Sequence, residues 1–304
     1  MSPLNTSDLN CTSFNADRVA PSVVMGFCCL VGVCGNIAVV MVILNKFKKE
    51  KLNFTLKLML NLAVSDLLGL FTLPAWIYTW LFGWRFGRGA CRFVSYVVIS
   101  SLYSSVLTVT LMSVQRYLTV LYTQCWARLR GTGERVLLAT LWGLAGVLAS
   151  PALVLADVAG KKRLCRWNYR SETEEVATLL METLWGFVVP FSILVTSYFC
   201  LHKKVNQTAF FSSQRMTKLV TTIVVTFFIF WFPLHVINVL DIFAISLKSR
   251  SLKNFVEPSW GYTQALTFIN SCVNPFIYAF ASRNRRRRNT EHSGTTQAIS
   301  TSNL

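Results

Sequence analysis

The sequence predicts an all-α membrane protein, a seven-transmembrane helix bundle with its N-terminus extracellular. Three observations predict it. Apolar tracts of about 18 residues or more recur along the 304-residue chain, each long enough to cross about 30 Å of hydrocarbon. Basic residues crowd the connections on one alternating side, which the positive-inside rule makes cytoplasmic. The last tract, residues 260–282, carries Asn270, Ser271, Asn274, Pro275 and Tyr278 in its inner half. In lipid, an amide or a carbonyl freed by proline is tolerable only against neighbouring helices or trapped water, so this tract belongs inside a bundle.

Composition narrows the class further. The chain is 53% hydrophobic with a formal charge of +17. Such basicity ordinarily raises nucleic acid as a partner. Here the charges lie between spans, so membrane lipid is the expected neighbour and nucleic acid is not. Lys46, Lys48, Lys49, Arg128, Arg130, Lys203, Lys204, Arg283 and the run Arg285 to Arg288 share the inner face, with few acids against them. The outer connections are balanced by Asp157, Glu172, Glu174, Glu175 and Glu257.

The chain divides into a glycosylated extracellular N-terminus (1–19), a seven-span domain (20–282) and a cytoplasmic tail, basic and then Ser/Thr-rich (283–304). Residues 1–20 lack the apolar core of a cleavable signal peptide, and the first span is expected to act as its own insertion signal. Asn5 and Asn10 begin sequons on the outer side, where they are usable. Asn53-Phe54-Thr55 and Asn206-Gln207-Thr208 match the same pattern but face the cytosol. The tail has the composition of a disordered, solvated end that kinases are able to use.

The expected spans are about 20–45, 54–81, 90–122, 136–156, 176–201, 219–247 and 260–281. In the first, Asn36 is a lone amide that must face protein. In the second, Asp66 lies near mid-membrane at a cost of about 2.5–3.5 kcal/mol unless partnered. No Lys or Arg occupies the middle of any span, so its expected partners are hydroxyls, amides, water or a small cation. Cys11, Cys91 and Cys165 all lie outside, where oxidation is permitted, and their number is odd.

The third span ends in Gln115-Arg116-Tyr117, an arginine at the inner edge where a basic residue snorkels easily. Trp142 and Pro151 follow in the fourth span, Glu182, Pro190 and Tyr198 in the fifth, and Phe227 with Phe230-Trp231-Phe232-Pro233 in the sixth. Each proline is expected to bend its helix. Above Pro233, residues Trp231, His235 and Asn238 share one helix face. A histidine in such a stripe is more often structural than a ligand contact. With Tyr103 and Glu182 opposite, the stripe predicts an aromatic cavity with few polar groups, suited to an amphipathic ligand that is uncharged or anionic.

Asn36, Asp66, Cys91, Arg116, Tyr117, Trp142, Cys165, Pro190, Tyr198, Phe227, Trp231, Pro233 and the Asn274-Pro275-Phe276-Ile277-Tyr278 sequence occur in order on the matching spans. In this the chain resembles the rhodopsin-like G-protein-coupled receptors. The resemblance implies a Cys91–Cys165 disulfide, a sodium ion held by Asp66, Ser105, Asn270 and Asn274, and a switch built on Arg116, Tyr198, Phe227, Trp231, Pro233, Asn274, Pro275 and Tyr278. It implies no cofactor beyond that allosteric ion. Expected partners are a heterotrimeric G protein, arrestin and receptor kinases, and the expected site is the plasma membrane. The family's Asp-Arg-Tyr reads Gln115-Arg116-Tyr117 here, which removes the acid usually paired with the arginine and predicts a weakened resting state.

Within that family the chain looks most like the leukotriene B4 receptors of the chemoattractant branch. The likeness lies in Cys91-Arg92 through Leu107, Glu182 through Phe191, and Phe230 through Asn238. It implies an extracellular lipid mediator, leukotriene B4 or a related oxylipin, met by Tyr103, Glu182, His235 and Asn238. That family's outer histidine and arginines correspond to Ser95, Ala156 and Trp260, so the ligand's acid is expected near Arg92 and Arg166 at the mouth. The alternatives are a receptor for a chemoattractant peptide or another small molecule, and a secondary transporter relaying protons through Asp66 and Glu182. No internal repeat supports the transporter. An enzyme is not expected, since no nucleophile with a base or metal cluster is visible.

Overall fold

The structure is a computed structural model. It describes the backbone at all positions except 1–5, 50–52, 130, 161–162, 206–213 and 302–304. Side chains are described except at those positions and at 6–18, 125, 202, 204–205, 214–218 and 280–301. The sequons at Asn5 and Asn10, Cys11 and the Ser/Thr side chains of the tail lie outside the described side chains.

The elements are α1 Thr6–Phe47, α2 Phe54–Leu70, α3 Leu73–Phe82, α4 Gly87–Leu121, α5 Thr123–Arg128, α6 Thr132–Ala149, α7 Pro151–Leu155, β1 Ala156–Ala159, β2 Leu164–Trp167, α8 Glu172–Thr183, α9 Val189–Val205, α10 Gln214–Ser246 and α11 Arg250–Thr301. Among the described residues, six stretches are long and apolar enough to cross a membrane, from Val19–Phe47 to Leu219–Ser246. The seventh expected span lies within α11. α1 begins earlier than the expected first span, and α11 stays helical to Thr301 where composition suggests disorder. Arginine is a good helix former, and the Arg285 to Arg288 run carries the helix onward without a breaker.

Three spans are interrupted, each next to a proline. The second divides into α2 and α3 at Phe71–Thr72, ahead of Pro74 in the first turn of α3. The fourth restarts at Pro151. The fifth does not simply bend at Pro190; it opens into one wide π turn, Leu184–Val188, between α8 and α9. Proline has no N–H to give to the residue four back, and a π turn absorbs that missing bond.

Polarity runs inside out. Phe27 and Leu30 are 65% and 72% exposed, whereas Asp66 and Asn238 are 2% and 0% exposed. Lipid makes the exposed apolar face free of cost and the unsatisfied polar group expensive, so polar side chains are turned inward to each other. α4 sits centrally, packing on α2, α6, α9 and α10, while α11 lies against α1 and α10. Asn36 donates to the Ser271 carbonyl at 2.9 Å, tying α1 to α11. A side chain in place of Gly35 would bring its Cβ within 2.9 Å of the Pro275 ring, so only glycine permits that approach. Trp142 donates to Asn61, and Asn61 donates to Thr108, which joins α6, α2 and α4.

Candidate functional site

The outer end is covered by the antiparallel β1–β2 hairpin, which pairs Asp157 with Arg166. Cys91 and Cys165 form the disulfide that the resemblance implies, fixing the hairpin to the start of α4. The buried Trp84 donates its backbone N–H to Arg163 and its indole N–H to Gly87, each at 2.7 Å, so the connection before α4 clasps the same hairpin.

The outer arginines serve this lid. Arg88 pairs with Asp157, whose carboxyl that hydrogen bond holds down at about 2. Arg92 donates to the carbonyls of Ala156 and Val154. Arg166 is exposed, with its guanidinium beside Gly160. Arg92, expected near a ligand's acid, is therefore turned to the lid, whereas Arg166, the other residue expected there, stays exposed. The Arg92 donors are drawn to backbone carbonyls, acceptors that an apolar cavity lacks.

Beneath the lid, the expected stripe on α10 does form. Trp231, His235 and Asn238 are all buried on one face. Phe187 lies 5.1 Å from the His235 ring, and Trp231 stacks on it at 5.9 Å. Gly186, in the wide turn, lets His235 come close: a Cβ there would lie 3.1 Å from its Cε1 and 3.9 Å from the Tyr103 ring. Glu182 approaches the Asn238 amide from α8 without closing a hydrogen bond. Neither ring nitrogen of His235 and neither polar atom of the Asn238 side chain has a hydrogen-bond partner. A buried amide without a partner costs about 1–3 kcal/mol.

Above it stands a group that the sequence reading missed. Lys253, at the start of α11, donates to Asp241 on α10 at 2.7 Å and to Glu175 on α8 at 2.9 Å. Its burial works against the charge, yet the two carboxylates raise its pKa. Tyr169, after the hairpin, is pushed up by burial and by Glu182, Glu175, Asp241 and Glu174 around it. The only sequence signal was that Asp241 continues the stripe, three residues beyond Asn238.

Deeper, Asp66 accepts from Ser105 at 3.2 Å, Ser271 at 3.0 Å and Asn274 at 2.8 Å. Asn270, expected in this ring, does not bond to Asp66, and its Oδ1 is buried without a partner. Ser271 takes the position instead, its hydroxyl reaching the carboxylate from the same helix as Asn274. The set of oxygen donors, with the orphaned Oδ1 atoms of Asn270 and Asn274 close in sequence, suits a hard cation.

At the inner edge, Phe227 stacks on Trp231 at 4.9 Å, and Tyr198 shares a 2.6 Å hydrogen bond with Thr221 of α10. Tyr278 has an unpartnered hydroxyl. Arg116 donates to Thr55 at 3.0 Å, and Thr55 donates to Gln115 at 3.1 Å. Arg116, Tyr198 and Tyr278 are thus engaged or held separately, and Val220, Ile223 and Phe227 of α10 are packed into one core with Leu58 and Met112. Pro233 and Pro275 lie inside unbroken α10 and α11. A separate cleft of about 570 Å³ between α9 and α10 is lined by Phe191, Leu194, Tyr198, Phe199 and Phe228 among others. It opens toward lipid and offers only one polar group, so it is not the polar cluster.

Residues 35–278 match the family of seven-transmembrane receptors of the rhodopsin type. Leukotriene B4 receptor 1 of Homo sapiens is 34% identical over 83% of this chain and 73% of its own length. Apelin receptor B of Danio rerio is 31% identical, over 72% and 68%. C-C chemokine receptor type 9 of Mus musculus is 26% identical, over 93% and 80%. The membrane-length helices and the lid disulfide agree with that match, and the chain belongs to the rhodopsin family of seven-transmembrane receptors: a multi-pass plasma-membrane receptor that couples an extracellular ligand to heterotrimeric G protein, and not an enzyme.

Proposed function

We propose that the extracellular ligand is an amphipathic lipid mediator, leukotriene B4 or a related oxylipin, entering between α4, α8 and α10. The observation that carries this reading is the pair His235 and Asn238, buried and unpartnered on an otherwise aromatic wall. Hydroxyls of a fatty-acid mediator would satisfy them together with Tyr103 and Glu182, while its chain lies along Phe187 and Trp231. The human relative at 34% identity is named for leukotriene B4, which supports the same choice. With Arg92 engaged by the lid, an acid at the mouth meets the exposed Arg166 or Lys253, at the latter competing with Asp241 and Glu175.

A second reading is favoured by that same mouth. Glu174, Glu175, Asp241 and Glu182 surround Tyr169, with Lys253 bound to two of them. This excess of acid suits the basic end of a peptide better than a carboxylate.

Signalling then follows from two helix-packing states whose balance the ligand shifts by binding one of them better. The Phe227–Trp231 stack carries the change to the inner half of α10. Arg116, Tyr198 and Tyr278 regroup there to open the G-protein cleft, and sodium at Asp66, Ser105, Ser271 and Asn274 favours the closed state. The Ser/Thr-rich tail is open to receptor kinases and arrestin.

The test is expression of the full chain in cells with a calcium or cyclic-nucleotide readout, against leukotriene B4, other oxylipins and short basic peptides. We expect leukotriene B4 or a close oxylipin to respond, and Glu182→Gln and Asn238→Ala each to weaken it by about 1–3 kcal/mol through lost buried hydrogen bonds. A response to basic peptides alone, abolished by Asp241→Asn, would replace the lipid reading with the second.

A further inference from the structure

The loss of the acid beside Arg116 leaves a question that the inner edge answers. Among the described residues, no carboxylate forms an ion pair with Arg116, and its Nε is buried without a partner. What holds the guanidinium is neutral. Its Nη2 donates to Thr55 Oγ1 at 3.0 Å, and that hydroxyl spends its single proton on Gln115 Oε1 at 3.1 Å. A hydroxyl has one donor and two acceptor sites, so both bonds are made at once. Thr55 and Gln115 are both buried, where competition from water is weak.

The local fold shows that this hydroxyl is not needed to build α2. Asn53 caps the helix by accepting from the Leu56 N–H at 2.9 Å. Phe54 packs on Trp126 of α5 at 5.2 Å, and Lys57 pairs with Glu134 of α6 at 2.6 Å. The first turn of α2 is thereby fixed from three sides by groups other than Thr55. Its hydroxyl is left to serve α4, presenting an acceptor to Arg116 at a place set by the rest of the turn.

We propose that Thr55 is the positioning residue for Arg116 in the resting receptor, acting as a neutral bridge between the arginine and Gln115 where a direct ion pair is absent. Arg116 must leave Thr55 to take part in opening the cytoplasmic cleft, so the bridge sets the basal level of signalling. This holds whatever the extracellular ligand is.

The experiment is ligand-free nucleotide exchange on a panel of heterotrimeric G proteins, using membranes that carry the full chain at matched receptor density. Thr55→Val keeps the shape and removes the hydroxyl; it should raise basal exchange about three- to tenfold, the shift expected from losing one or two hydrogen bonds of ordinary strength. Thr55→Ser keeps the hydroxyl and should stay at the wild-type level. Gln115→Leu should raise exchange as well, and the double variant should rise less than the two effects combined, since both cut one chain. Gln115→Asp supplies a charge directly and should lower exchange even with Val at position 55. Thr55→Val at the wild-type level with every heterotrimer, Thr55→Ser as active as Thr55→Val, or full additivity with Gln115→Leu would each overturn the bridge. If Thr55→Val is poorly expressed, Gln115→Leu and Gln115→Asp carry the test from the other end.

Discussion

At the scale of single residues, the ligand cluster depends on an atom that is not there. Gly186 lacks a Cβ, and the space is filled by the His235 ring at a distance where even a methyl would press on it. Contacts of 3.1 Å are tighter than carbon atoms ordinarily tolerate, so Gly186→Ala should push His235 off its stack with Phe187 and Trp231. The substitution adds one methyl, and surface expression should change little. We therefore expect agonist potency to fall about tenfold or more with surface density near wild type. Equal potency in concentration-response curves would show that His235 does not shape the ligand cavity. Alanine also favours regular helix over glycine, which adds pressure to straighten the π turn in the same direction.

At the scale of elements, the lid makes two predictions. The Cys91–Cys165 bond links the hairpin to α4 across 74 residues, and closing so long a loop removes much unfolded-chain entropy. Replacing both cysteines by serine should cost about 2–5 kcal/mol and lower the thermal midpoint of the detergent-solubilised receptor; an unchanged midpoint would assign the lid to other contacts. The second concerns pH. The Arg88 hydrogen bond holds Asp157 at about 2, below the ordinary carboxylate value near 4, so whatever the pair contributes is present above about 4 and disappears only as pH falls toward 2. Amide exchange of Ala156–Ala159, corrected for its intrinsic pH dependence, should therefore be equally protected at pH 7.4 and pH 5. Loss of protection at pH 5 would place another titrating group in control of the hairpin.

How much of this was legible depends on where lipid imposes a penalty. Asn36, Asp66 and Asn274 stand out because a polar group in an apolar span must find a partner, and each does so within the bundle. The α10 stripe was legible for a related reason, since helical spacing alone puts Trp231, His235 and Asn238 on one face. Thr55 was not. In sequence it reads as the end of a sequon on the wrong side of the membrane, and only the approach of α4 gives its hydroxyl two partners. The same holds for Lys253, whose acids come from α8 and α10, 78 and 12 residues away. The choice of Ser271 over Asn270 turns on the rotation of α11 by one residue, and the π turn at Leu184–Val188 turns on how the helix absorbs Pro190.

At the scale of the whole molecule, the polar interior is a set of separate groups, the α10 cluster, the Asp66 ring and the Arg116–Thr55–Gln115 chain, and Asp66 is the buried acid of the second. Its three partners come from α4 and α11, so the carboxylate measures how those helices sit against α2. A cation bound there would gain from a closed arrangement that gathers the donors, and would be weakened by a shift of α11. If sodium occupies the ring, as proposed, linkage makes it stabilise the closed state to the same extent that closure tightens sodium. We expect basal nucleotide exchange to fall when N-methylglucamine is replaced by sodium at equal ionic strength, and Asp66→Asn to abolish the difference. Ser271→Ala should reduce the sodium effect more than Asn270→Ala, because Ser271 Oγ contacts the carboxylate and Asn270 does not. Identical exchange in the two cations at matched receptor density would make the Asp66 ring a purely structural network, and a larger loss with Asn270→Ala would restore that residue as the ligand in the sodium-bound form.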